Sequence, residues 1–373
     1  MNKRFLIGII IVITVIIGLI LITTNNNNSK NQEYTIGLVA PLSDVGSQMG
    51  IAMANGMEMA TKEINDNGGI NGKKLNLEIE DGLFGAESAN AANYLINTKN
   101  PDILVTLFQP PAEAIAPIAI QNNIPLIYEA YVRSIKNQND LIFKTDFDAV
   151  SGCEEIVRFA KENNKYEKLA IVLPKVGFSE ECFEGIKKVE PNVEEFWYGV
   201  EEKDYRTILL KANEKGIDTI FITGFDYHFI NLFNQLKKYN YPIKVIAATT
   251  SEVFPKAVFE NVDNNFLEGI LTIDVKSVDI DSSKFAKKYE TFINKTNLSH
   301  TEYAYGANGY DHVMLIAKAM ENCEPKNTDC LVNALENVSG QITVNGNTGF
   351  KDRVLQNTNK IYEYQNGNWI KLN

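Results

Sequence analysis

Several side chains in this sequence have the chemistry to hold a small molecule. Phe108, Tyr128, Tyr131, Phe178 and Phe225 gather in predicted loops at strand ends. An aromatic ring there offers apolar area at low entropic cost and a face for another ring or a cation. Polar groups stand among them. Gln109 can read an amide or a carboxylate, Glu129 and Asp226 can hold an ammonium, and Arg133 can pair with a carboxylate. Ser43, Asp44 and Glu252 occupy further predicted loops. Each also has a plainer role open to it. A ring can be core, a charge can be a solvated loop side chain, and Asp44 can bond nearby backbone amides to orient its own loop.

Residues that transform a molecule are missing from the pattern. There is no Gly-x-Ser-x-Gly elbow and no Gly-x-x-x-x-Gly-Lys phosphate loop. The glycines of GGING end a helical pattern instead of opening one, so they do not cradle a dinucleotide. Glu154 and Glu155 are adjacent on a predicted helix with no evident partner. Three histidines, His228, His300 and His312, are too few and too scattered for a zinc motif. The sequence therefore predicts no enzyme, no cofactor and no metal. A net charge of −11 with no basic cluster argues against a nucleic-acid partner.

The elements that must position these residues alternate. YTIGLVA (Tyr34 to Ala40) reads as a buried strand. Apolar residues at helical spacing follow from Met49 to Asn65, and Gly68-Gly69 stop that helix because glycine takes the left-handed geometry of helix ends. Asn71-Gly72 turns the chain into a strand from Leu75 to Glu80. Helices at Ala86–Lys99 and Ala112–Asn122 then alternate with strands at Ile103–Leu107, Pro125–Tyr128 and Ile142–Thr145. A second series follows. Its helices are Ser151–Asn163, Glu180–Val189, Tyr205–Glu214 and His228–Lys238. Its strands are Leu169–Leu173, Val193–Tyr198, Thr219–Thr223 and Ile243–Ala247. The fold class predicted is α/β, with two doubly wound Rossmann-like lobes. Ligands of such lobes bind beyond the carboxyl ends of the strands. Six loops qualify: Leu42–Gln48, Phe108–Pro111, Glu129–Arg133, Pro174–Ser179, Gly224–Tyr227 and Thr249–Glu252.

The N-terminus reads differently. A basic MNKR precedes an apolar run from Phe5 to Ile22, broken only by Thr14. At the helical rise these residues span roughly 27 Å, close to a bilayer core. No small-residue cleavage site follows, so the sequence predicts an uncleaved signal anchor over 1–24 and a polar tether over 25–33. Lys3 and Arg4 would keep the N-terminus cytoplasmic and the remainder outside. Four cysteines fit an exported chain: Cys323 and Cys330 bracket a short loop, and Cys153 and Cys182 can pair if their helices pack together.

The order of motifs resembles the type I periplasmic binding proteins, in particular the branched-chain amino acid solute-binding proteins of ABC transporters. The residues that carry the resemblance are IGLVAPLSDVGSQMG, NGMEMATKEINDNGGINGKKLNLEIED, AEAIAPIAIQNNIPLI, KLAIVLPKVGFSEECFEGIKK, GYDHVMLIAKAME and NGNTGFKD. The resemblance implies two lobes joined by three crossings, near Thr145, near Leu271–Asp274 and near Val344–Phe350. Lobe one would comprise 34–145 plus 273–343, and lobe two 146–272 plus 344–373. It implies a ligand contact from the loop of Ser43 and Asp44 and an aromatic at Phe178 packing on the ligand. Relatives that bind amino acids carry a Ser pair and a Thr, which fall here on Phe108, Gln109 and a position near Val132. That departure implies a changed specificity. The function implied is an anchored extracellular or periplasmic protein that captures an amino acid or aromatic-bearing solute for an ABC permease. The alternative is a sensor domain reporting to a signalling partner, and the chain shows neither a second span nor a signalling domain.

Overall fold

A computed structural model of the chain describes residues 33–43, 46–82, 85–247, 256–274, 280, 283–339, 344–346, 349–356 and 359–372. The sequence-predicted anchor, Asp44 and Glu252 lie outside them. Among the described residues no helix is long and apolar enough to cross a membrane.

The first sheet is built from β1 (Tyr34–Ala40), β2 (Leu75–Asp81), β3 (Ile103–Leu107), β4 (Leu126–Glu129) and β5 (Ile142–Thr145). The second is built from β6 (Leu169–Pro174), β7 (Glu194–Tyr198), β8 (Thr219–Ile222), β9 (Lys244–Ala247) and β10 (Leu271–Asp274). Two short strands, β11 (Phe350–Lys351) and β12 (Val354–Leu355), extend the first, while β13 (Lys360–Gln365) and β14 (Asn368–Lys371) extend the second. The orders are β2-β1-β3-β4-β5-β12-β11 and β7-β6-β8-β9-β10-β13-β14. Each sheet is parallel through its first five strands and ends in an antiparallel hairpin. Strands β1, β3, β4 and β5 are buried throughout, as helices on both faces require.

The helices are α1 (Ser47–Asp66), α2 (Ala86–Lys99), α3 (Gln109–Gln121), α4 (Ala149–Glu162), α5 (Gly177–Val189), α6 (Arg206–Glu214), α7 (Asp226–Tyr239), α8 (Lys256–Asn261), α9 (Asn264–Leu267), α10 (Lys284–Ile293), α11 (His300–Met320) and α12 (Thr328–Asn337). Helices α1 and α11 meet backbone to backbone. A Cβ on Gly56 would lie 1.9 Å from the Gly306 oxygen, and one on Gly309 would lie 2.1 Å from the Met53 oxygen. Only glycine permits that approach. Helices α4 and α5 meet in the same way at Gly185, against the Val150 oxygen. The Cys153–Cys182 disulfide ties these two helices, and Cys323–Cys330 closes the loop before α12.

The C-terminal segment corrects one expectation. The sequence places residues 344–373 in lobe two, with a crossing near Val344–Phe350. Instead, Val354 pairs parallel with Lys144 of β5, and the Phe350 ring meets Phe143 edge-on at 5.2 Å. Leu355 lies in the first lobe's core. The chain passes from the first sheet to the second between Leu355 and Lys360. Residues Ile273 and Asp274, assigned to lobe one, pair in the second sheet with Ile361 and Lys360.

Candidate functional site

The carboxyl ends of the two sheets face each other where the Tyr131–Ser134 loop meets the start of α5. A Cβ on Gly177 would lie 3.5 Å from Gln109 Nε2 and 3.8 Å from Val132 Cγ1. The lobes thus approach closely at Gln109, Val132 and Gly177. Tyr131 of the first lobe packs against the second lobe's core, and Phe178 of the second packs against the first lobe's core. Their rings meet edge-on at 6.5 Å, and Tyr131 also meets Phe147 at 6.1 Å. Both rings, expected to pack on a solute, are used to join the lobes.

Phe108 and Phe225 remain as the aromatics that line the strand ends without bridging the lobes. Phe108 is half-buried against the first core and sits at the N-cap of α3 with φ 72° and ψ 156°. That backbone region is open to glycine and strained for other residues. Its N–H donates to the Glu129 oxygen at 2.8 Å, which fixes the strained turn to β4. Its ring covers Gly46, whose Cβ, if present, would lie 3.0 Å from Phe108 Cε2. Phe225 is 48% exposed at the N-cap of α7, and its ring stacks with Tyr227 at 6.0 Å. Asp226 is the first residue of that helix.

Other predicted contacts are spoken for. Glu129 is buried at 2% exposure, and its Oε1 accepts from Asn308 Nδ2 at 2.7 Å. His312 Nε2 lies 3.0 Å from Thr145 Oγ1 in the same interior network. Glu129 therefore ties β4 to α11. Tyr128 is also interior. Its hydroxyl donates to the Val132 oxygen at 2.8 Å and accepts from the Lys136 N–H, shaping the loop between them. Ser43 is exposed, and its hydroxyl donates to Asp81 Oδ2 at 2.6 Å, while the Leu42 N–H donates to Oδ1 at 2.8 Å. The hydrogen bond from Ser43 leads the contacts that hold the Asp81 carboxyl below its ordinary pKa.

Arg133 has an internal partner for its guanidinium. It forks onto Asp148, with Nη2 to Oδ1 at 2.6 Å and a second bond from Nε to Oδ2. Asp148 is the N-cap of α4 and accepts from the Ser151 N–H at 2.8 Å. Burial works against its ionisation, yet Lys144 and Arg133 together hold it below the ordinary carboxylate range. Lys144 itself is fully buried at the first crossing, where Nζ donates to the Phe147 oxygen at 2.8 Å. Burial pushes its pKa down. Beside the Arg133–Asp148 pair lies a cavity of about 440 Å³, lined also by Ser151, Glu155, Lys351 and Asn359.

The residues that sequence reasoning missed are Asp81, Asp148, Glu181 and His228. Asp81 ends a strand whose loop was left out of the six. Glu181 lies three residues beyond Phe178, on the same helix face. Asp148 precedes a helix and is a residue type that caps one. His228 reaches back from the first turn of α7: its Nδ1 accepts the Phe225 N–H at 3.0 Å, and its Nε2–H donates to the Val200 oxygen at 2.7 Å.

Comparison with known proteins agrees with this architecture. A family model described as periplasmic binding protein matches residues 33–368. The Leu/Ile/Val-binding protein of Escherichia coli K12 is 22% identical over 337 residues, covering 84% of this chain and 86% of its own. The branched-chain amino acid substrate-binding protein LivJ of Streptococcus pneumoniae, solved with isoleucine, superposes with a TM-score of 0.70 at 20% identity, covering 91% of this chain and 100% of its own. An ABC-transporter solute-binding protein of R. palustris, solved with 4-hydroxybenzoate, gives 0.71 at 18% identity, covering 91% and 96%. Two lobes of one strand order, opposed at their carboxyl ends, and a family match across nearly all of the described chain lead to one assignment: the chain belongs to the periplasmic binding protein family, with the fold of its type I, branched-chain amino acid-binding members.

Proposed function

We propose that this protein captures a small solute with an apolar or aromatic body between its lobes and delivers it to an ABC importer. The observation that carries the reading is the placement of Phe108 and Phe225. They begin the helices that follow corresponding strands of the two sheets, and Phe225 stands open to solvent. Two rings on opposed lobes favour a solute that both can cover, and such a solute stabilises the closed arrangement by bridging them. The ligands of the two solved neighbours, isoleucine and 4-hydroxybenzoate, both have an apolar body. The apolar run Phe5–Ile22, which lies outside the described residues, supports a single-pass anchor that keeps the binding lobes outside the membrane. The lobes are read as 34–145 with 284–355, and 149–274 with 360–372.

The test is thermal unfolding of the whole chain in mild detergent against amino acids, amides, aromatic acids and short peptides. A ligand of the folded state at a hundredfold excess over its Kd adds about 2.7 kcal/mol. Aromatic or branched aliphatic solutes should raise the midpoint, and Phe108→Ala and Phe225→Ala should each abolish most of that rise. A panel without any shift, or a shift that survives both substitutions, would overturn the reading.

A further inference from the structure

The Tyr131–Ser134 loop of the first lobe presents an anion receptor. The N–H groups of Arg133 and Ser134 point to one place, and successive amides so aligned hold carboxylates. The second lobe fills it. Glu181 Oε1 accepts from the Arg133 N–H at 2.8 Å and from the Ser134 N–H at 3.0 Å, and Oε2 lies 2.7 Å from the Arg133 nitrogen. The guanidinium of the same Arg133 is taken by Asp148, also on the second lobe's side. These two carboxylates stand on α5 and α4, which the Cys153–Cys182 disulfide ties one residue beyond Glu181.

We propose that Glu181 is a carboxylate supplied by the protein to fasten the lobes at this edge, so that the receptor is closed to a carboxylate of the solute. Closure then draws on protein groups as well as on solute contacts. Any contact that forms only in the closed state raises its population and tightens the binding of every solute by the same factor. It also sets specificity. The solute is held at the Phe108 and Phe225 side and places no carboxylate against Arg133 and Ser134. The charged groups facing Glu181 are Arg133, Asp148 and Lys144. Burial raises the Glu181 pKa, and each of the two amides needs only an acceptor oxygen. A neutral acceptor of the same shape should serve.

This inference rests on the lobe closure proposed above but not on the identity of the solute, and its readout needs none. Spin labels at Asn97→Cys in α2 and Lys211→Cys in α6, both on exposed helix surface, report the distance between lobes in the full chain in detergent. Glu181→Ala should shift the distribution to longer distances. Glu181→Gln should leave it near the parent's, because one amide oxygen can accept both N–H groups. Glu181→Lys, which sets a cation against two donors, should give the longest distances. Sodium acetate, against sodium chloride at equal ionic strength, should bring Glu181→Ala back toward the parent distribution and leave the parent unmoved. Distances that are alike in all four proteins, or acetate acting equally on parent and Glu181→Ala, would overturn the proposal. A solute panel that yields nothing would count against the proposed function and would leave this result standing.

Discussion

The loops after β3 and after β8 hold the same place in two sheets of the same strand order, and each opens its helix with a phenylalanine. The two residues are held in different ways. Phe108 has φ 72° and is half-buried between Gly46 and the first core. Phe225 has φ −96°, an ordinary extended conformation, and is 48% exposed. One ring is fixed by a strained backbone and close neighbours, while the other is supported from behind by a histidine. The difference suggests a division of labour: a rigid wall on the first lobe and an adjustable one on the second. Strain of this kind costs on the order of 1–3 kcal/mol and persists where surrounding contacts impose it.

The sharpest way to break that comparison is to remove both rings and measure stability by chemical denaturation. Phe108→Ala should cost about 2 kcal/mol, roughly half of what a fully buried phenylalanine loses on truncation. Phe225→Ala should stay within about 0.5 kcal/mol, because an exposed ring loses little packing. Equal losses would mean that the two walls are equally built in.

A smaller effect separates backbone from side chain. Glycine relieves a residue with φ 72° and ψ 156°, whereas it gains nothing at φ −96°. Phe108→Gly should therefore be more stable than Phe108→Ala by about 1 kcal/mol. At position 225 the order should reverse, with alanine the better residue. If glycine is the poorer choice at both, the Phe108 turn is not strained in solution.

How much of this was legible depended on whether the signal was local. Runs such as YTIGLVA and ILVTL gave the strands because a strand buried on both faces is continuously apolar. Several helices begin before the residue at which the sequence places them. Alpha-helix α3 begins at Gln109-Pro110-Pro111, where proline is tolerated in the first turn, so a stretch that resembles loop is helix. The hairpin of β11 and β12 was misassigned because two-residue strands carry no periodicity. Its place is decided by Val354 meeting Lys144 and Phe350 meeting Phe143, contacts far apart in sequence. The site followed the same division. The strand-end rule names candidate loops but not the fate of each side chain. Glu129, Tyr128 and Arg133 carry groups that suit a ligand, and only their partners Asn308, Val132 and Asp148 show that the protein uses them itself. The Glu181 contact joins two lobes, so no single segment announces it.

The smallest effect tests the support behind Phe225. His228 must be neutral to accept the Phe225 N–H on Nδ1 while donating from Nε2 to the Val200 oxygen. Burial lowers its pKa below the ordinary histidine value. A depressed folded-state pKa contributes stability that is present above the unfolded value and is lost as pH falls through the folded one. Protonation would then set two donors, Nδ1–H and the Phe225 N–H, against each other at the start of α7. Unfolding midpoints measured from neutral pH downward should therefore fall more steeply for the parent than for His228→Asn. Asparagine offers an acceptor for the Phe225 N–H and does not titrate. Carboxylates elsewhere titrate alike in both proteins, so the difference between the two curves isolates this histidine. Parallel curves would show that the second wall stands without it, and that Phe225 is free on its lobe in a way Phe108 is not.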